Sequence, residues 1–417
     1  MGAAPRDGDV PDDPTLRAEP ERGGPVLQTL GRVAEPDGKR RDGQRSSRSV
    51  LRSVRVTARV PAQATKRQAG ELPPATAQPA AFTDVHDLRR EVVGVAGWRR
   101  PLEVREEVDP SVLMEGVPPD ARGNVFFQAT GRHGTGVYEA GDSELRVHCE
   151  RGPGEPILSH PAALPTGEAV FYTAQGDSTA VVAAIDGVEH VLLHAGQFPG
   201  RIGPLGPTAD AHGRVAVRGW GTDGRARIWQ IDGGRVHEVA CTGKRFGEFF
   251  GLPLAIDDGA VLFRAQRVDG VHGLYRWSGG EVRREVETGS EFSSIGLFPC
   301  AGGGEVVFVA MGPEGSGVWR LTDTARAPFV DGRAFASVRG ALVDGGGRVV
   351  VFATPPGRTL GLYAGPDPTT DRLLAVGDAF DGSTVEAFAL NPVSVNAAGR
   401  LAVRLKLADG RGLIIVR

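Results

Sequence analysis

A glycine that leads into a short apolar run recurs seven times along this 417-residue chain. The anchor glycines follow one another at intervals of about 43 to 52 residues, and they are Gly123, Gly167, Gly213, Gly259, Gly304, Gly347 and Gly399. A repeat of this length is typical of a propeller blade or of a two-helix solenoid unit. The periodicity therefore constrains the fold more than any single residue does.

The apolar runs favour the propeller. The runs at 261–263 and 306–308 are continuous and rich in β-branched and aromatic residues, as in strands that are buried on both faces. A helical solenoid would need longer amphipathic stretches, and glycine recurs too often for them. A second apolar segment follows each anchor by about fifteen residues, and in five units it ends in an aromatic residue: Tyr138, Trp229, Tyr275, Trp319 and Tyr363.

A third segment in each unit, such as 282–286, alternates apolar and polar residues like a half-exposed strand. Polarity thus rises from the first strand to the third, as it must in a blade whose inner strand is enclosed and whose outer strand meets water. Residues 102–108 also alternate in this way, whereas the unit that begins at Gly399 is incomplete. We therefore predict an all-β, seven-bladed β-propeller over residues 99–417, with four-stranded blades and a ring closed by the N-terminal and C-terminal strands.

Four anchor glycines are preceded, three residues earlier, by Asp or Asn: Asp120, Asp210, Asp344 and Asn396. The side chain of Asp or Asn can accept a hydrogen bond from the backbone two residues later, and glycine tolerates the positive φ that ends such a turn. We predict that these residues have a structural role in tight turns.

The last unit resembles a known family. Residues 396–403, Asn-Ala-Ala-Gly-Arg-Leu-Ala-Val, are similar to the N-x-x-G-x-x-A-F unit of bacterial tandem-repeat proteins of the choice-of-anchor type, with Val403 in place of the final Phe. The segment 407–414 is similar to the second strand of that family. The resemblance extends over about residues 100–417 but is close only in this unit. It implies an exported β-propeller without an assigned activity, and it adds no catalytic residue.

The N-terminal part differs in composition. Residues 1–82 are rich in Pro, Gly, Ala and Arg and poor in aromatic residues, which predicts a disordered arm. Within 39–67, the Lys and Arg residues are balanced only by Asp42, so this stretch is either a solvated tail or a weak contact for phosphates and acidic surfaces. Residues 83–98 are predicted to be a linker or a short helix. We find no apolar run typical of a signal peptide or a membrane span, so we expect a cytoplasmic location, whereas the resembled family suggests export.

Several motifs suggest chemistry but have a simpler explanation. On a strand, His190 and His194 would lie about 13 Å apart, which is too far for one zinc ion, so we predict surface histidines. The glycine triplets at 302–304 and 345–347 precede strands, which predicts hairpin turns instead of phosphate-binding loops. The segments 257–259 and 378–383 lack the ligand ladder of a calcium loop. We predict no catalytic residue, no metal site and no cofactor.

Several other residues are candidates for core packing or for ligand contacts. Cys149, Cys241 and Cys300 lie in different units and lack metal-site spacing, so we predict buried thiols. The long interval at 377–396 carries Phe380, Phe388 and several carboxylates, and extended loops on a rigid scaffold often bind ligands. Trp220 and the phenylalanines at 246–250 are not explained by the repeat.

The absence of a recognisable catalytic motif favours a non-enzymatic, monomeric binding scaffold whose ligand is an unknown protein, small molecule or carbohydrate. The formal net charge of −3 argues against nucleic acid as a general partner. One alternative is a hydrolase or lyase with carboxylates at the central channel, because propellers host both kinds of function. Another is a scaffold that the basic arm tethers to an anionic polymer.

Overall fold

The computed structural model describes residues 99–105, 118–131, 134–141, 145–152, 157, 159–175, 178–194, 205–322 and 325–417. These residues lie within one compact unit. The predicted arm at 1–82 and the predicted linker or helix at 83–98 fall outside them. Apart from a 3-10 turn at Pro392–Ser394, the regular elements of the described part are β-strands. No helix among these residues has the length and apolarity needed to span a lipid bilayer.

The described strands form seven antiparallel sheets, which are the seven predicted blades of a propeller ring. The first described strand is β1 (Arg99–Arg105), and blade 1 contains β2 (Val125–Gly131), β3 (Gly134–Ala140) and β4 (Leu145–Arg151). Blade 2 contains β5 (Ala162–Ala163), β6 (Ala169–Gln175), β7 (Ser178–Ile185) and β8 (Val188–Leu193). Blade 3 contains β9 (Thr208–Ala209), β10 (Val215–Trp220), β11 (Ala226–Asp232) and β12 (Arg235–Cys241). Blade 4 contains β13 (Phe246–Ala255), β14 (Val261–Arg267), β15 (His272–Ser278) and β16 (Glu281–Glu287). Blade 5 contains β17 (Ser294–Ile295), β18 (Cys300–Gly302), β19 (Glu305–Gly312), β20 (Gly315–Leu321) and β21 (Arg326–Val330). Blade 6 contains β22 (Ser337–Val343), β23 (Val349–Thr354), β24 (Gly361–Tyr363) and β25 (Arg372–Ala375). Blade 7 contains β26 (Ala379–Phe380), β27 (Ser383–Ala389), β28 (Ala402–Leu407) and β29 (Arg411–Val416).

The innermost strand of a blade precedes its anchor glycine. In blade 3 the order is β9, β10, β11 and β12, and β9 ends just before the turn at Gly213. The first strands of neighbouring blades lie against each other, as β5 does against β9 and β9 against β13, whereas the outermost β12 and β16 each expose several residues in their N-terminal halves. The strand that follows each anchor is therefore the second strand of its blade, not the inner one. The sequence does not reveal β5 and β9 because a strand of two residues shows no periodicity.

The predicted ring closure is confirmed. Strand β1 pairs antiparallel with β29 and completes blade 7, with Leu102 opposite Ile414 and Arg105 opposite Arg411. The last and first anchor turns are also joined, because Asn396 Nδ2 donates a hydrogen bond to the carbonyl oxygen of Asp120 at 2.6 Å. Closing the ring in this way pairs the edges that an open array of sheets would expose.

The predicted Asx turns are present. Asp210 Oδ1 accepts hydrogen bonds from the backbone N–H groups of His212 and Arg214, both at 2.9 Å, and Oδ2 accepts one from Arg214 Nε at 2.6 Å. Asp344 repeats this arrangement with Arg348. Gly213 ends its turn at φ +81°, a conformation that glycine adopts without strain.

The glycine triplets are hairpin turns, as predicted, and they bring neighbouring blades close together. A Cβ atom on Gly303 would lie 2.7 Å from the carbonyl oxygen of Gly345, and one on Gly345 would lie 2.3 Å from that of Ala397. The anchor turns of blades 5, 6 and 7 thus touch in succession, and side chains at these positions would push them apart.

The hydrophobic core lies between blades. Phe263 is 1% exposed and meets Phe246 and Phe249 edge-to-face, at ring-centroid distances of 5.6 and 5.7 Å. The same cluster includes Ala216 and Ile228 of blade 3. The aromatic residues at the second-segment position also pack in the core, as predicted: Tyr138, Trp229, Tyr275 and Tyr363 are buried, and Trp319 is half-buried against Phe292.

Candidate functional site

The sequence candidates for metal binding do not converge. His190 lies on β8 with its side chain exposed, and His194 follows the strand and is also exposed. Across the residues that the structure describes, no group of three or more His, Cys, Asp or Glu side chains is arranged to hold a metal ion. The predicted pair is therefore a pair of surface histidines. Cys149 and Cys300 are buried free thiols, as predicted, whereas Cys241 is only half-buried.

The interval at 377–396 is used for packing. It contains the inner strand of blade 7, and its phenylalanines, Phe380 and Phe388, are buried in the largest hydrophobic cluster. Its carboxylates pair with cations: Asp381 lies 2.6 Å from Arg411, and Glu386 lies 2.8 Å from Lys406. This segment therefore does not present the open polar groups expected of a binding loop.

A different polar position recurs inside the buried second strands, five residues after the anchor glycine. In blade 1 this residue is Gln128, whose Nε2 donates a hydrogen bond to the carbonyl oxygen of Ile157 at 2.9 Å. In blade 3 it is Arg218, whose Nη1 donates to the carbonyl oxygens of Phe249 at 3.0 Å and Gly251 at 3.2 Å. Both acceptors of Arg218 lie on β13, so this position ties one blade to the inner strand of the next.

Arg264 occupies the same position in blade 4 but lacks this tie. Its side chain is only 8% exposed, and among the described residues it forms neither an ion pair nor a hydrogen bond to a backbone carbonyl. The one hydrogen bond that its side chain forms with a described residue joins Nη2 to His272 Nδ1 at 3.4 Å, and its Nε is buried without a partner in the described part of the chain. The corresponding inner strand of blade 5 is interrupted between β17 and β18. The carbonyls of that segment do not receive the guanidinium as those of β13 receive Arg218.

The residues around Arg264 form a cluster that we call the Arg264 cluster, comprising Phe250, Arg264 and His272. The guanidinium carbon of Arg264 lies 4.6 Å from the ring centroid of Phe250, and the His272 ring lies 5.3 Å from that of Phe250. Glu248 is exposed on β13, and within the described structure it forms no ion pair with Arg264. Phe250, unexplained by the repeat, thus supports a buried cation.

Burial dominates the electrostatics of the cluster. It lowers the pKa of Arg264 to about 10, although the negative charge of Glu248 acts in the opposite direction. Burial also lowers the pKa of His272, and the positive charge of Arg264 lowers it further. A buried cation without a carboxylate partner is unfavourable, because its lost hydration is not replaced by an opposite charge.

Two exposed apolar side chains lie at the ends of second strands. Val268, in the turn after β14, is 64% exposed, and Met311, near the end of β19, is 41% exposed. Strands β14 and β19 are equivalent second strands, so their C-terminal ends lie on the same face of the ring. Trp220 ends β10 on that face, with the guanidinium of Arg218 5.7 Å from its ring. This face of the ring therefore carries exposed apolar side chains, and the ion pair of Arg267 with Asp269 flanks Val268.

Sequence reasoning did not select Arg264, although a signal was present. Arg264 directly follows the run at 261–263, which was predicted to be buried on both faces, and it lies in the middle of β14. Arg218 follows its own run in the same way and lies within β10. A charged residue inside a fully buried strand needs a partner, and only the neighbouring blade decides whether one exists.

The comparisons with known proteins concern the fold alone. No family model matches the chain, and no curated protein matches it. A solved structure of TolB from Acinetobacter baumannii is 15% identical, with a TM-score of 0.35, and covers 72% of this chain and 62% of its own. An oligogalacturonate lyase from Vibrio parahaemolyticus is 11% identical, with a TM-score of 0.48, and covers 78% of this chain and 95% of its own. The β-propeller domain of the Trilobed protease from Pyrococcus furiosus is 11% identical, with a TM-score of 0.33, and covers 60% of this chain and 92% of its own.

Proposed function

We propose that this protein is a non-enzymatic β-propeller binding scaffold whose ligand binds the Arg264 cluster through an anionic oxygen group. The observation that carries the proposal is the buried guanidinium of Arg264, whose Nε lacks any partner in the described structure. A carboxylate would supply both the missing charge and two acceptors for the planar guanidinium fork.

The comparison with Arg218 supports a ligand-binding role for Arg264. Both arginines occupy the same repeat position, but Arg218 gives its N–H groups to two backbone carbonyls of β13. That contact joins blades 3 and 4, and it is a structural role. The guanidinium of Arg264 has no equivalent contact with the described residues of blade 5, so a structural tie of this kind does not explain it.

The neighbouring residues suggest how a ligand would be held. Phe250 keeps the guanidinium in place from one side, while Val268 and Met311 offer apolar surface on the same face of the ring. A ligand that carries a carboxylate on an apolar body would use both features. We also propose, from the resemblance at 396–403, that the scaffold is related to the tandem-repeat propellers of the choice-of-anchor type.

The test is calorimetric titration of the full chain with benzoate, with neutral benzamide as the uncharged counterpart. We expect benzoate to bind the wild-type protein, benzamide to bind at least tenfold more weakly, and Arg264→Met to lose benzoate binding. Arg333→Met is the matched control, because Arg333 is exposed, pairs with Glu314 and lies outside blade 4, which contains Arg264. Equal binding of benzoate by wild type and Arg264→Met, or no binding by wild type, would overturn the proposal.

A further inference from the structure

We infer that anion binding at Arg264 is coupled to protonation of His272, so that the site holds its ligand more tightly as the pH falls. This inference rests on the proposed function, since it concerns the regulation of the same site. It goes beyond the presence of a cation, because it assigns a second residue and a direction of pH dependence.

The contact between the two side chains requires a neutral imidazole. Arg264 Nη2 lies 3.4 Å from His272 Nδ1, and a guanidinium can only donate hydrogen bonds. Nδ1 must therefore accept, which leaves the imidazole proton on Nε2. The His272 side chain is half-buried, so solvent protons reach it. In the ligand-free site, His272 thus occupies one N–H group of Arg264.

Protonation reverses the role of Nδ1. In the imidazolium both ring nitrogens donate, so Nδ1–H and Nη2–H would face each other, with two positive charges side by side. An anion placed between them would accept from both and offset the repulsion. Protonation therefore frees Nη2 of Arg264 for the ligand and adds a second donor. Because binding and protonation favour each other, each strengthens the other by the same factor.

The charged groups around His272 are consistent with this coupling. Burial lowers the pKa of His272, and the positive charge of Arg264 lowers it further. Glu248 faces Arg264 from β13, and Glu287 on β16 lies 3.3 Å from Arg267. Strand β17, which packs against β15, contributes Ser294 and Ile295, neither of which titrates, and the nearby Glu291 pairs with Arg326. His272 is therefore the titratable group in direct contact with Arg264.

The experiment is titration of the full chain with benzoate between about pH 8 and pH 5.5, a range in which benzoate itself stays ionised. Uptake of one proton changes affinity by up to about tenfold per pH unit. We expect the dissociation constant of wild type to fall at least tenfold over this range, with proton uptake detected in paired buffers of different ionisation enthalpy. His272→Gln keeps a hydrogen-bonding side chain that cannot be charged. This variant should bind benzoate without proton uptake, and its dissociation constant should change less than threefold over the same pH range.

Glu248→Gln is the second variant, because protonation of this exposed carboxylate would also favour an anion at low pH. If the inference is right, Glu248→Gln keeps the proton uptake of wild type. A pH dependence that survives in His272→Gln but disappears in Glu248→Gln would overturn it, as would pH-independent binding by wild type. Absence of benzoate binding at every pH is a different result, because it refutes the proposed function itself.

Discussion

Replacing Arg264 by methionine should stabilise the ligand-free protein. Burial lowers the pKa of Arg264 to about 10, which corresponds to about 3 kcal/mol against the charged form in the folded state. Methionine fills a similar volume without a charge, but it loses the contact of the guanidinium with Phe250, which is worth about 0.5–2 kcal/mol. We therefore expect Arg264→Met to raise the free energy of unfolding by about 1–2 kcal/mol.

Arg218→Met provides the matched comparison, because both arginines occupy the same repeat position. Here the substitution leaves the carbonyl oxygens of Phe249 and Gly251 without their donor. A buried group that loses its hydrogen bond costs about 1–3 kcal/mol. Burial also lowers the pKa of Arg218, so removal of its charge offsets part of this loss. We therefore expect Arg218→Met to be less stable than Arg264→Met by about 1–3 kcal/mol, the cost of the carbonyl groups left without a donor.

The assay is urea denaturation at pH 7, followed by circular dichroism and by tryptophan fluorescence, for wild type and both variants. Equal slopes of the unfolding free energy against urea would show that the variants unfold from comparable native states. The reasoning is refuted if Arg264→Met destabilises the protein as much as Arg218→Met does. Arg264 would then be a structural residue, whereas a stabilising substitution indicates a residue kept at the expense of stability.

Three further predictions concern the fold. Phe263→Ala should lower the free energy of unfolding by about 3–5 kcal/mol in urea titrations, because the ring is enclosed between blades, and a loss below about 1 kcal/mol would contradict that burial. Deleting residues 411–417 removes β29 from between β28 and β1, so we expect loss of the cooperative thermal transition of the whole ring, whereas an intact transition at reduced signal would show independent blades. Burial lowers the pKa of His160 to about 4, so the unfolded chain binds the extra proton below about pH 6.5, and stability should fall by about 3 kcal/mol as the pH drops from 6.5 to 4. His160→Gln should flatten that pH dependence of urea unfolding, and an unchanged slope would show that other groups cause it.

The candidate site was only partly predictable from the sequence. The run at 261–263 was recognised as a buried strand, and Arg264 directly follows it, so the charged residue was visible in the sequence. The importance of Arg264 was not visible, because Arg218 stands at the same position of its own unit and donates its hydrogen bonds to backbone carbonyls of β13. His272 and Phe250 lie on two other strands, and the separation of these residues along the chain does not indicate that their rings and the guanidinium are in contact. The interval at 377–396 was suggested as a binding loop because its length was visible, whereas the pairing of its carboxylates was not.

The sequence by itself determined the number of blades, the second strands, the anchor turns and the closure of the ring by the two ends of the propeller. These features depend on short-range properties: a glycine that accepts positive φ, an Asx side chain that bonds the next backbone amides, and an apolar run long enough to be buried on both faces. Only the tertiary structure decided which strand lies innermost and which buried arginine lacks a backbone carbonyl partner among the described residues. The inner strands can be as short as two residues, and the partners of an arginine are backbone carbonyls of the neighbouring blade, whose positions depend on how the blades pack.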